Sequence, residues 1–162
     1  AQLTQEIQSG TQTTRDPIYS MTANAPGYND IGNTYIEVDL SEQHMYYYQD
    51  GSVIFESDIV SGDMRYADRQ TPAGIYTLYY KKSPDVLRGK QLANGKYEYE
   101  TKVNYWMPFN GGIGFHDASW QPYFGGDRYL EGGSHGCINM PPDSAAELYN
   151  IIQYNVPIVC FY

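Results

Sequence analysis

His44-Met45-Tyr46-Tyr47-Tyr48-Gln49-Asp50-Gly51-Ser52-Val53-Ile54-Phe55-Glu56-Ser57-Asp58-Ile59-Val60 is the stretch whose reading decides the fold. Two runs rich in aromatic and β-branched residues flank Asp50-Gly51. That pair supplies the left-handed residues that a tight hairpin turn demands. His44 lies in this hairpin, remote from the other histidines, and reads as structural or exposed. Working outward, residues 35–40 alternate as a strand with one buried face. Residues 74–80 form another strand. Residues 81–104 read as a long hairpin or lid, whose lysines and tyrosines, Tyr97 and Tyr99 among them, suit an exposed β-ribbon. Ser144 and Glu147 have capping-box spacing behind Pro141-Pro142, and Leu148, Ile151 and Ile152 follow as an apolar helical stripe. Asn155 and Pro157 end that helix, and residues 156–162 close the chain as a buried strand. The expected class is mainly β, with one principal helix near the C-terminus.

The 162 residues predict one domain with a core of its own. Residues 1–32 are polar and weakly periodic, a linker or the end of a preceding domain with one short strand at 18–21; residues 33–162 are the folded domain. The net charge of −9 excludes a nucleic-acid binder and electrostatic docking on an anionic membrane. No apolar run of about 18 residues and no signal-peptide pattern is present, so any membrane attachment is expected through segments absent from this chain. Six of the ten basic residues (Lys81, Lys82, Arg88, Lys90, Lys96 and Lys102) fall in the lid region. They read as a solvated hairpin or as a cationic flap over an acidic ligand.

The chemistry concentrates in Gly133-Ser134-His135-Gly136-Cys137-Ile138-Asn139. His116 lies 21 residues upstream of Cys137, inside Gly114-Phe115-His116-Asp117. The chain has three histidines and two cysteines, so gathering two of the first and one of the second here marks a nucleophilic site. An imidazole generates a thiolate near neutral pH, and a thiolate attacks acyl groups. His116 is favoured as the base because its approach is not constrained by local geometry, but His135 shares a strand face with Cys137 and stays open. The carboxylate or the backbone carbonyl of Asp117 can orient the imidazole. The backbone N–H groups of Gly136 and Cys137, with that of His135, are the natural oxyanion donors. Residues 105–109 read as core or as an aromatic wall of the cleft, which makes Tyr105 and Trp106 candidate substrate contacts; Asn139 is a third.

Two alternatives use the same residues. His116, His135 and Cys137 are possible zinc ligands, but no Cys-x-x-Cys spacing accompanies them, so no metal and no cofactor is expected. A Cys137–Cys160 disulfide would silence the nucleophile. Cys160, within Val156-Pro157-Ile158-Val159-Cys160, reads instead as a small buried hydrophobe.

His116 followed by Ser134-His135-Gly136-Cys137-Ile138-Asn139 resembles the signature of the YkuD-type L,D-transpeptidases. Gln70-Thr71-Pro72-Ala73-Gly74-Ile75-Tyr76 resembles the family's Thr-Pro-x-Gly segment, and residues 35–51 its opening hairpin. The resemblance covers residues 33–162 and implies a β-sandwich of that type with a long lid hairpin. It implies that Cys137 attacks the third-residue carbonyl of a peptidoglycan tetrapeptide stem and expels D-alanine. The thioester then passes to the side-chain amine of an acceptor stem, giving a 3→3 cross-link. In this scheme His116 is general base and acid, and the Asp117 position orients it. His135, Gly136 and Cys137 form the oxyanion region, and Ser134 hydrogen-bonds within the site. Carbapenems are implied as covalent inhibitors, and the extracellular face of the bacterial envelope as the location, within a longer anchored protein. The competing readings are an L,D-carboxypeptidase, in which water takes the acyl group, and a catalytically silent wall-binding module.

Overall fold

The computed structural model describes residues 9, 10 and 30–162; the strand expected at 18–21 lies outside the described residues. Three strands open the fold: β1 (Tyr35–Asp39), β2 (His44–Gln49) and β3 (Ser52–Asp58). β1, β2 and β3 pair antiparallel in sequence, and the β2–β3 turn has Asp50 at φ 51° and Gly51 at φ 81°, the left-handed pair that the sequence announces. β4 (Gly74–Thr77) and β10 (Pro157–Phe161) complete a five-stranded sheet of order β3-β2-β1-β10-β4, in which β10 runs parallel to β1. β5 (Asp85–Arg88) and β6 (Glu100–Val103) pair as a separate antiparallel ribbon. β7 (Trp106–Asn110), β8 (Ile113–Asp117) and β9 (Ile138–Met140) form a three-stranded sheet in which β8 and β9 are parallel.

The alternation in β1 and β2 sends Ile36, Val38, Met45 and Tyr47 inward. There they meet Met107, Phe109, Phe115 and Ile138 of the smaller sheet in one apolar core. This is the expected mainly-β layering. β8 is buried on both faces because a helix covers it from the other side. That helix, α2 (Pro142–Ile151), follows a short α1 (Arg128–Gly132) that the periodicity did not reveal. Ala145 and Leu148 are its buried residues, and Ile152, the residue that caps it, is buried beside them.

The capping-box reading of Ser144 and Glu147 is corrected. The helix starts at Pro142 with Pro141 as N-cap, and no side-chain cap bond forms. Proline at the first helical position has its φ preset and loses no intrahelical bond, so it starts the helix earlier than Ser144 would. Helicity also ends at Ile151, ahead of Asn155, whose φ is 62°.

The lid region is a ribbon as expected, but much of its charge is already paired. Lys82 bonds Asp85 at 2.8 Å, and Arg88 bonds Glu100 at 2.9 Å. Lys81 donates to the carbonyls of Tyr149 and Ile152 near the C-terminal end of α2, where a cation is favoured. Half of the cationic cluster, Lys81, Lys82 and Arg88, therefore acts as internal fastening. Tyr97 is exposed as expected, whereas Tyr99 is half-buried against His135.

Ile36 is fully buried between Tyr47 and Ile158, far along the chain from the catalytic motif. Ile36→Ala is expected to cost about 3 kcal/mol in urea unfolding while leaving Cys137 as reactive toward alkylation as before.

Candidate active site

Strand pairing assembles the site. In the parallel β8–β9 ladder His116 lies opposite Asn139. Opposed residues point to one face of a sheet, and Cys137, two residues before Asn139, points the same way. His116, Cys137 and Asn139 accordingly line one cleft of about 320 Å³. The ribbon contributes Leu87, Tyr99 and Thr101 to its walls, and the segment from Trp120 to His135 contributes the remainder.

His116 is 4% exposed. Its Nδ1 lies 2.9 Å from the backbone carbonyl of Asp117, so Nδ1 carries the proton and Nε2 is left as the basic nitrogen. Burial pushes the imidazole below the usual histidine range, partly opposed by the bond to the Asp117 carbonyl and the charge of Asp117. Trp106 and Trp120 flank the ring, with centroids at 6.0 and 5.8 Å.

Of the two roles open to Asp117, orientation falls to the backbone carbonyl. The carboxylate faces elsewhere. It accepts bonds from the N–H groups of Asn104 (2.7 Å) and Tyr105 (2.9 Å) and from Asn104 Nδ2 (2.9 Å). One residue therefore holds the imidazole with its main chain and the base of the ribbon with its side chain.

The loop carrying Cys137 is held by hydroxyls. Ser134 Oγ accepts from the Gly136 N–H at 2.9 Å and donates to the Cys137 carbonyl at 2.6 Å. Thr71 Oγ1 accepts from the Gly62 N–H at 3.0 Å and donates to the Gly136 carbonyl at 2.8 Å. Thr71 is buried, which explains chemically why a Thr-Pro-x-Gly segment accompanies this motif. Gly136 itself has φ 113°, and a Cβ there would press on Ile113 at 3.1 Å.

The Ser134 bond occupies the Gly136 N–H. Outside the strand ladders, no hydrogen bond among the described residues engages the N–H of His135 or Cys137. His135 is exposed on the cleft wall with its ring 4.8 Å from that of Tyr99.

Cys137 is half-buried and free, and its Sγ lies 3.5 Å from the Gly112 carbonyl. Burial pushes the thiol up to about 11, against a backbone hydrogen bond from Gly114. Burial thus disfavours the thiolate and the imidazolium alike, and both groups rest neutral. Cys160 is likewise free and buried, its thiol pushed up to about 12, in keeping with its reading as a core residue.

The other expected contacts divide. Asn139 lines the cleft, and its Oδ1 is buried without a partner among the described residues. Trp106 is buried behind His116 rather than lining the cleft. Tyr105 packs on Tyr149 of α2, with ring centroids 5.2 Å apart, away from the cleft wall. Trp120, Gln121, Arg128 and Tyr99 do line it and were not singled out in the sequence as site residues. A lone aromatic residue, or an arginine in a five-residue helix, carries no periodic signal. Trp120 and Gln121 fall in the stretch 120–126, which the sequence reads as a loop between the two motif halves; nothing in the sequence pointed to Arg128 or Tyr99.

The L,D-transpeptidase catalytic domain of the YkuD family matches residues 33–160. No curated protein sequence matches the chain. Among solved structures, a mutant of Enterococcus faecium L,D-transpeptidase is similar at 44% identity and TM-score 0.76, covering 99% of this chain and 62% of that one. The E. faecium catalytic domain acylated by ertapenem is similar at 46% identity and TM-score 0.68, covering 80% of this chain and 98% of that domain. An L,D-transpeptidase from Mycobacterium smegmatis is similar at 25% identity and TM-score 0.65, covering 80% and 59%. The chain thus spans about 62% of the length of the E. faecium mutant.

Two outcomes follow from this geometry. Alkylation of Cys137 by iodoacetamide, followed by peptide-resolved mass spectrometry, is expected to accelerate about tenfold per pH unit between pH 7 and 10, since the thiolate is the minor form throughout. A rate that is flat across this range would mean a resting thiolate–imidazolium pair. Thr71→Val removes the donor to Gly136 and the acceptor for Gly62, and is expected to lower unfolding stability by about 2 kcal/mol. Thr71→Ser, which keeps both bonds, should recover most of that loss in the same urea titration.

Proposed function

The chain belongs to the family of the YkuD L,D-transpeptidase catalytic domains, and from that premise we propose that it cross-links peptidoglycan stems through an acyl-enzyme on Cys137. The observation that carries the reading is the one cleft lined both by the Cys137 thiol and by an imidazole whose Nδ1 is fixed by the Asp117 carbonyl. Sγ attacks the carbonyl of the third residue in a tetrapeptide donor. His116 Nε2 takes the thiol proton as the bond forms, because neither group is charged beforehand, and returns it to the amine of the departing D-alanine. The N–H groups of His135 and Cys137 are the oxyanion donors of this scheme, and Ser134 holds Gly136 in place beside them.

In the second half-reaction the side-chain amine of an acceptor stem attacks the thioester. His116 accepts the amine proton and Sγ leaves, regenerating the thiol. Carbapenems carry a strained acyl group that the same thiol opens, so they are expected to acylate Cys137. Residues 33–162 act as the catalytic unit, residues 1–32 lead into it, and the site of action is the outer face of the bacterial cell envelope. Asn139, on the cleft wall, is a contact for the bound stem, and Trp106 supports His116 from behind.

Mass spectrometry of products from a purified disaccharide-tetrapeptide tests the reading. Dimers lacking one D-alanine are expected. Tripeptides alone would make the protein an L,D-carboxypeptidase, and unchanged substrate would sink the catalytic proposal. A carbapenem should add one inhibitor mass to the protein, and Cys137→Ala should abolish the adduct. His116→Ala is expected to slow acylation by at least about a hundredfold with unchanged circular dichroism; full activity would move the base to His135.

A further inference from the structure

Arg128 enters the cleft from the first turn of α1, and its surroundings are unlike those of a surface arginine. The chain carries a net charge of −9. Among the described residues lining the cleft, however, Arg128 alone bears a fixed positive charge, and no lining residue is a carboxylate. The elements around it hold Asp127 and Glu131. Asp127 accepts from Tyr123 Oη at 3.2 Å, Glu131 is exposed, and neither makes an ion pair with Arg128.

The guanidinium is nevertheless held. Its Nε donates to Gln121 Oε1 at 2.8 Å, and Gln121 Nε2 donates in turn to the Gly132 carbonyl at 3.0 Å. The terminal nitrogens lie directly over Gly132, where a Cβ would overlap them. Glycine at this position therefore leaves the room that the guanidinium fills. Nε is spent on Gln121, and no hydrogen bond among the described residues engages either terminal nitrogen. An oriented guanidinium with its terminal N–H groups free, in a cleft without acids, is a receptor for a carboxylate.

We propose that Arg128 is the carboxylate-recognising residue of the cleft, and that it takes the free α-carboxylate of the terminal D-alanine in the donor stem. This rests on the transpeptidase reading above, which places that carboxylate one residue beyond the scissile carbonyl. Gln121 is a positioning residue that acts through Arg128. The arrangement selects stems that still end in a free acid; the carboxylate stays on the departing D-alanine, so the acyl group left on Cys137 no longer engages Arg128 once the amide is cut.

The test compares a disaccharide-tetrapeptide ending in free D-alanine with the same compound ending in D-alaninamide. The wild-type chain is expected to favour the acid by about tenfold or more in kcat/KM. Arg128→Gln should bring the acid-to-amide ratio close to one, chiefly through KM for the acid. Arg128→Lys should restore part of the preference. Gly132→Val, which displaces the guanidinium without removing its charge, should behave like Arg128→Gln. An undiminished preference in Arg128→Gln would overturn the proposal while leaving the transpeptidase reading intact. If the wild type turns over neither compound, the transpeptidase reading fails. The carboxylate site is then read separately by NMR titration of Cys137→Ala with both compounds. Preferential binding of the acid that disappears in the Cys137→Ala/Arg128→Gln double variant supports it, and equal binding of the two compounds overturns it.

Discussion

The site depends on one strand pairing, the parallel ladder between β8 and β9. It sets His116 opposite Asn139 and so turns Cys137 to the same side of the sheet. A parallel pair cannot be closed by a tight turn, so residues 118–137 must cross over between the two strands. That crossover builds the far wall of the cleft. Trp120 packs on the imidazole, Gln121 and Arg128 follow, and Ser134 returns the chain to the catalytic loop. The register that aligns the base and the nucleophile thus also requires a connection long enough to carry the binding residues. A slip of one residue would send Cys137 to the opposite face and break both relations at once.

The loop after this crossover is unusual in needing a left-handed glycine beside the nucleophile. Two hydroxyls hold it there. Ser134 ties the loop to itself, and Thr71 ties it to the segment ending in Gly74 and, through Gly62, to the stretch that follows β3. The strand bridges Val60 to Asn139 and Gly62 to Ser134 strengthen the same seam. Packing alone would not fix the direction of successive N–H groups; hydrogen bonds do, since an oxyanion donor must be aimed before charge develops. The resting electrostatics fit this arrangement. With thiol and imidazole both neutral, little charge is stored in the buried site, and stabilisation is reserved for the moment of attack.

Much of this was legible in the residues. Asp50-Gly51 gave the hairpin because its left-handed demand is local, and the alternation of Ile36, Val38, Met45 and Tyr47 gave the buried face because period two is local as well. The motif around Cys137 marked the chemistry because cysteine and histidine are scarce in this chain. What remained hidden depends on direction in three dimensions. The sequence left open whether the carboxylate or the carbonyl of Asp117 served His116. Which one does is decided by Asn104 and Tyr105, whose N–H groups claim the carboxylate. Ser144 and Glu147 carried a capping pattern, but Pro142 had already started the helix. Residues 105–109 read as core or as cleft wall, and the structure packs Tyr105 on Tyr149 of α2.

Charge shows the same division between what is countable and what is placed. The six basic residues of the lid region stood out in the sequence, yet Lys81, Lys82 and Arg88 are consumed in fastening the ribbon to itself and to α2. Arg128 was inconspicuous and is the fixed cation that faces the cleft. The physical reason is exposure. A cation on a ribbon in water gains little from a distant anionic ligand, because solvent and salt screen the attraction. The same cation held in a concave wall, with its Nε already bonded and unpaired with the neighbouring Asp127 and Glu131, keeps more of its field. In a chain of net charge −9, which on average repels a carboxylate-bearing peptide, such a residue gives the anion a favourable local potential beside the nucleophile. Selectivity for an acidic substrate therefore does not require a basic protein. It requires one fixed guanidinium, a glycine that makes room for it, and a cleft from which carboxylates are excluded.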